Sequence, residues 1–243
     1  MKLILDAGNS RLKWQLRAVT HSVLEAGACE YAELESLFPA WVERGVTEIL
    51  VSSVKGVEFE RYLDERSRFY FGLPPVFARV IKERCGLIAG YQDLSALGVD
   101  RWLAMLAAYV DCNSALVVID AGTAITVDFV GVGGLHEGGL IVPGQRTLTR
   151  SLFVNTSAVR VESLTLPQTW LPGCDTLSCV EQGVAASYKG LMREVVLRAS
   201  RERDGVGATI YLAGGDANLF RQWLPADVKC RPDLVFEGLL LSC

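Results

Sequence analysis

Histidine is scarce in this chain: only His21 and His136 occur among 243 residues. A histidine-rich zinc site is therefore excluded, histidine-based triads have few candidates, and a catalytic base is expected to be a carboxylate. No Gly-Lys dipeptide occurs, which removes the Walker A phosphate loop. The seven cysteines contain no C-x-x-C pair and follow no signal-peptide pattern, so a reduced, cytoplasmic setting is expected. Long apolar runs are also missing. The longest stretch free of Asp, Glu, Lys and Arg runs from Ser163 to Cys174 and carries Pro167 and Pro172, whereas a membrane-spanning helix needs about 20 apolar residues. Nor is there an excess of either charge: 24 Lys plus Arg against 28 Asp plus Glu leave −4. Neither nucleic acid nor an anionic membrane is an expected partner on that balance, and a soluble protein is expected.

What is present is apolar residues, 50% of the chain, enough for one large domain or two small ones. The run Leu3-Ile4-Leu5 stops at Asp6-Ala7-Gly8-Asn9-Ser10, and a second run, Ala115 to Ile119, stops at Asp120-Ala121-Gly122-Thr123-Ala124. Apolar runs bounded by turn-formers read as buried strands. Each is followed by a further strand candidate, Lys13 to Leu16 and Thr126 to Phe129. Because the two D-A-G turns stand almost half a chain apart, the simplest plan is two halves of one strand-turn-strand design.

Other segments complete an α/β pattern. Glu48 to Ser53 and Thr209 to Leu212 read as strands, and Glu58 to Arg68 and Arg101 to Val110 as helices. A long helix is expected from Ser178 to Arg203, opened by the capping-box spacing Ser178 to Glu181. Gly131 to Gly144 is glycine-rich, and Gly214-Gly215 follows a strand, where bare backbone would suit a flat adenine ring. No Pro/Gly/Ser-rich linker separates the halves, so strands alternating with helices imply two domains sharing a cleft.

The turns suggest chemistry. Gly8 would let backbone approach an anion, Asn9 and Ser10 offer donors, and Asp6 could hold hydrated magnesium, although D-x-G-N is also ordinary β-turn chemistry. Asp120 to Thr126 can present hydroxyls and amides to phosphates, with Asp120 as a cation ligand, or can simply be an exposed strand turn. In Gly98-Val99-Asp100-Arg101 an Asp in the first helical turn serves as a cap by default. An ionised Asp beside a cleft is also what removes a hydroxyl proton in phosphoryl transfer, and Arg101 suits a carboxylate or phosphate partner or open solvent.

Four blocks, Asp6-x-Gly8-Asn9-Ser10-x-x-Lys13, Gly98-Val99-Asp100-Arg101, Asp120-x-Gly122-Thr123-x-x-Thr126 and Gly138-Gly139-x-Ile141-x-Pro143-Gly144, together resemble the type III pantothenate kinase, or Bvg accessory factor, family. The resemblance spans nearly the whole chain and implies an α/β fold. In that fold, two ribonuclease-H-like halves of the acetate and sugar kinase, heat-shock and actin superfamily flank a nucleotide cleft. The halves would be residues 1–112 and 113–243. It implies ATP binding by Asp6, Ala7, Gly8, Asn9, Ser10, Arg11, Leu12, Lys13 and Thr123, with Asp6 near magnesium and Asp120 on potassium or ammonium. Asp100 becomes the proton acceptor, and Tyr91, Gly98, Val99, Asp100 and Arg101 line the pantothenate pocket. Thr176 would close that pocket from the neighbouring subunit of a homodimer; the family often has Asn-Thr where this chain has Asp175-Thr176. The implied activity is ATP-dependent phosphorylation of pantothenate to 4'-phosphopantothenate, the first step of coenzyme A biosynthesis. Two other readings remain open: a kinase for a different small molecule on the same fold, and a non-catalytic ATP-binding regulatory factor.

Overall fold

The apolar run at the amino terminus forms a strand because every other residue finds a helix to cover it. In the computed structural model, which describes residues 1–154, 166–167, 171–200 and 207–242, this strand is β1 (Lys2–Ala7). It is followed by β2 (Leu12–Arg17), β3 (Val23–Cys29), α1 (Leu34–Glu43), β4 (Glu48–Ser53), α2 (Val57–Phe71), β5 (Val76–Phe77), the hairpin β6 (Glu83–Arg84) and β7 (Leu87–Ile88), and α3 (Val99–Cys112). The main sheet runs β3-β2-β1-β4-β5, with β1 antiparallel to β2 and parallel to β4. Leu3, Leu5 and Ala7 share one face and are buried with Phe38 and Trp41 of α1 and Leu63 of α2. Trp41 meets Trp14 of β2 edge to face, with ring centroids 5.6 Å apart.

The second run is built the same way. After β8 (Leu116–Ala121) come β9 (Ala124–Val130), β10 (His136–Pro143), α4 (Gln145–Val154), α5 (Thr176–Ala199), β11 (Thr209–Ala213), α6 (Ala217–Arg221) and β12 (Lys229–Cys230). The sheet order is β10-β9-β8-β11-β12. Pairing is antiparallel from β8 to β9 and parallel from β8 to β11, so strand for strand it repeats the first sheet. Val117, Ile119 and Ala121 pack on Val184, Tyr188, Met192 and Val195, whose spacing makes one face of α5.

The last helix, α7 (Leu234–Ser242), packs on β1 and β4. Ile4 and Leu50, register partners buried on the face away from α1 and α2, explain why those strands read as unbroken apolar runs. Gly238 lets α7 also lie close against α3: a Cβ there would stand 2.0 Å from the Leu103 carbonyl oxygen. The chain accordingly divides into one unit of residues 1–111 with 233–243 and a second of 112–232. Helix α7 falls in the first unit because its apolar residues are buried there.

Two local expectations change. Helix α5 begins at Thr176 rather than Ser178, and its cap is Asp175, which accepts the Ser178 N–H at 2.9 Å while the Ser178 hydroxyl faces the Asp175 N–H at 3.2 Å. A carboxylate is the stronger acceptor for orphan amides, so it takes the position expected of Ser178. The expected end at Arg203 lies outside the described residues. The glycine-rich stretch holds β10, an edge strand paired to β9 with an irregularity between His136 and Gly138.

Candidate functional site

Residues 8–11 form the turn between β1 and β2. Asp6 and Ala7 are the last strand residues before it, and Leu12 and Lys13 the first after it. Asp6 and Lys13 are register partners, so carboxylate and ammonium leave the same face of the sheet at the base of the turn. Asn9, Ser10 and Arg11 are exposed, whereas Ala7 and Leu12 are buried and anchor the turn. A residue outside the motif spans it: the Tyr31 hydroxyl donates to the Gly8 carbonyl and, at 3.4 Å, to the Arg11 carbonyl. Burial, and then the nearby Asp6 carboxylate and Cys29, push the Tyr31 phenol well above its ordinary pKa, so it stays a donor.

The substrate residues expected in the first unit gather at the start of α3. Gly98 precedes the helix, and a Cβ on it would lie 2.6 Å from Asp100 Oδ1, so a larger residue there would push that carboxylate out of its present position. The same Oδ1 accepts the Arg101 backbone N–H at 2.8 Å. Arg101 is buried, and its Nη1 donates to the Tyr91 hydroxyl at 3.1 Å with the guanidinium 5.8 Å from the ring centroid. Tyr91, Gly98, Asp100 and Arg101 are thus one contact set, with Val99 buried as the first helical residue.

In the second unit Asp120 is the penultimate residue of β8, on the face away from α5, and Gly122 and Thr123 form the turn into β9. This turn is braced by glycine-to-backbone contact. A Cβ on Gly144 would stand 2.0 Å from the Gly122 carbonyl oxygen, and one on Gly214 2.2 Å from that of Ala121 and 2.5 Å from Asp120 Oδ1. Gly214 also has φ +95°, a conformation that favours glycine. The Thr123 carbonyl accepts from the Gly144 N–H at 3.0 Å and the Thr147 hydroxyl at 2.8 Å. Behind it, the Tyr188 hydroxyl of α5 donates to the Pro143 carbonyl at 2.9 Å; burial, and then Asp216, push that phenol up to about 12. Thr176 is the exposed first residue of α5, directly after its Asp175 cap. Hydrogen bonds to Ser178, from its backbone and then its side chain, hold the Asp175 carboxyl below the usual range.

Tyr31, Thr147 and Tyr188 are the supporting residues that the motifs did not contain. Each acts from a distant part of the sequence, and only the glycines at 144 and 214 carried a sequence signal. Among the described residues no three His, Cys, Asp or Glu side chains cluster as a metal cage, and no helix is long and apolar enough to cross a membrane.

Known proteins resemble this chain. The family model for type III pantothenate kinase matches residues 2–198. A type III pantothenate kinase from Teredinibacter turnerae is 42% identical, covering 99% of this chain and 98% of its own. Among solved structures, a protein from Campylobacter jejuni described as a Baf family transcriptional activator superposes with TM-score 0.62 at 19% identity, over 98% of this chain and 95% of that one. One from Sinorhizobium meliloti described as a 2-dehydro-3-deoxygalactonokinase does so with TM-score 0.60 at 13% identity, over 100% and 98%. Those two likenesses establish the fold, an α/β fold of two similar halves shared with sugar kinases. The family match and the close relative establish more: this chain belongs to the type III pantothenate kinase family.

Proposed function

We infer that this protein transfers the γ-phosphoryl group of ATP to the primary hydroxyl of pantothenate, giving 4'-phosphopantothenate and ADP in the first step of coenzyme A biosynthesis in the cytoplasm. The observation that carries the reading is the contact set at the start of α3, where a carboxylate and an aromatic-backed guanidinium are held together in a chain of this family. Asp100 accepts the hydroxyl proton as the new P–O bond forms and the bond to ADP breaks. Gly98, Val99, Arg101 and Tyr91 position pantothenate; the Arg101 guanidinium suits its carboxylate. Residues 6–13 and Thr123 bind ATP, with exposed Asn9 and Ser10 offering donors to its phosphates.

The chain's donors fit the two cations that the family resemblance implies. Asp6, a carboxylate near the end of β1, is the kind of ligand magnesium uses when phosphates and water complete its shell. Asp120, whose Oδ1 lies where a side chain on Gly214 would be, is exposed enough to meet potassium or ammonium. When bound, these ions neutralise charge on the phosphates. Thr176, exposed at the start of α5, completes the pantothenate pocket of a partner subunit in a homodimer. The test is ADP release with ATP, magnesium, potassium and a panel of hydroxyl acceptors. Pantothenate is expected to be the acceptor; ADP release with a sugar alone identifies a different kinase, and none with any acceptor identifies a nucleotide-binding regulator.

A further inference from the structure

The 8–11 turn has a cationic neighbour that none of the motifs contains. Backbone pairing runs past the end of β4, where the Val54 N–H donates to the Ala7 carbonyl at 3.1 Å, so the next residue, Lys55, emerges at the end of β1 from which the turn departs. Its ammonium rests 4.6 Å from the ring centroid of Tyr31, the residue whose hydroxyl holds both ends of the turn. Lys55 is exposed, and among the described residues the Tyr31 ring is the one partner of its charge; no carboxylate pairs with it.

A free lysine side chain samples many rotamers, and ordering it is unfavourable. Seating the ammonium on an aromatic face offsets that loss without neutralising the charge. The Tyr31 ring is itself fixed, edge-on to Phe59 at 5.3 Å and tied through its hydroxyl to the turn. The result is a positive charge pre-organised beside the turn, with its capacity to donate to an anion unspent.

We propose that Lys55, seated on Tyr31, is a binding residue for the polyphosphate of ATP, a second cation beside Lys13. The proposal rests on the 8–11 turn being the ATP phosphate turn. Its test compares Lys55→Ala, Lys55→Arg, Lys13→Ala and Tyr31→Phe in the full chain. Each is measured for affinity towards ATP, ADP and adenosine and for the KM and kcat of both substrates. Lys55→Ala weakens ATP binding and raises the ATP KM by about 10-fold, while kcat, the pantothenate KM, adenosine affinity and melting temperature stay as in the parent. Lys55→Arg restores most of the ATP affinity, and Tyr31→Phe, which keeps the ring, loses less than Lys55→Ala. If Lys13→Ala weakens ATP binding and Lys55→Ala does not, Lys55 has no such role and the phosphate turn stands. If neither changes it, both ideas fall. Equal loss for adenosine and ATP would also overturn the proposal, because the contact would not be to phosphate.

Discussion

The two units present the same strand-turn-strand device on sheets of identical order, yet differ in how much of the brace is backbone. In the first, the turn at 8–11 is held by a side chain, with the Tyr31 hydroxyl reaching the carbonyls at both ends. In the second, the Thr147 hydroxyl also reaches the Thr123 carbonyl, but the turn at 122–123 is held in addition by main chain on main chain, with Gly144 and Gly214 admitting backbone where any Cβ would collide. A hydroxyl contact can be lost and partly replaced by water. A glycine contact has no substitute, since the added atom must displace backbone. The first turn should therefore tolerate change that the second does not.

The largest expected effect concerns the proposed chemistry at Asp100, in the first unit. Asp100→Asn should lower kcat by about 10²–10⁴-fold and leave ATP affinity near that of the parent, measured by steady-state kinetics and equilibrium binding; retained turnover would remove Asp100 as base. Next come the glycines. Gly214→Ala combines a collision with a positive φ and should cost about 3 kcal/mol, and Gly144→Ala about 2 kcal/mol, by denaturant titration. Tyr31→Phe should cost about 1 kcal/mol; a cost as large as that of Gly214→Ala would erase the contrast between the braces.

Alkaline stability sharpens the comparison further. The folded pKa of Tyr188 is raised to about 12, so its contribution is complete below the ordinary tyrosine value near 10 and is lost as pH rises through the folded value. Tyr62 in the first unit is likewise pushed up to about 12, mainly by burial and then by its hydrogen bond to Glu35. Tyr188→Phe should therefore make the fall in stability between pH 10 and 12 shallower without abolishing it, as followed by circular dichroism. The smallest effect is local. Asp175→Ala should speed amide exchange in the first turn of α5 with global melting unchanged; unaltered exchange would show that the cap does not hold the turn bearing Thr176.

The repeat was legible because its signal is physical and local. β1, β4, β8 and β11 are covered strands whose apolar runs end at turn-formers, and the D-A-G pattern marks where the two central strands stop. β3 was not, since Val23 and Leu24 are exposed and its residues show no alternation. β10 was hidden by Gly138 and Gly139, poor strand formers that an edge strand paired to β9 can carry. α7 is apolar almost all round, so its period gives no direction, and its burial on β1 depends on a partner over two hundred residues earlier. In the site, the motif residues stood out by their own chemistry. Tyr31 and Lys55 did not, because a tyrosine after a strand and a lysine in a loop acquire meaning only from what lies opposite them.

The return of α7 also sets an order of assembly. Synthesis makes β1 and β4 early, but the helix covering Ile4 and Leu50 is made only after all of residues 112–232. Domains ordinarily complete themselves from the amino terminus as they leave the ribosome. Here the carboxyl-side unit is the first that can be finished, while the sheet bearing the 8–11 turn keeps an uncovered apolar face. A chain arrested before residue 234 would hold a completed second unit and an unfinished first one.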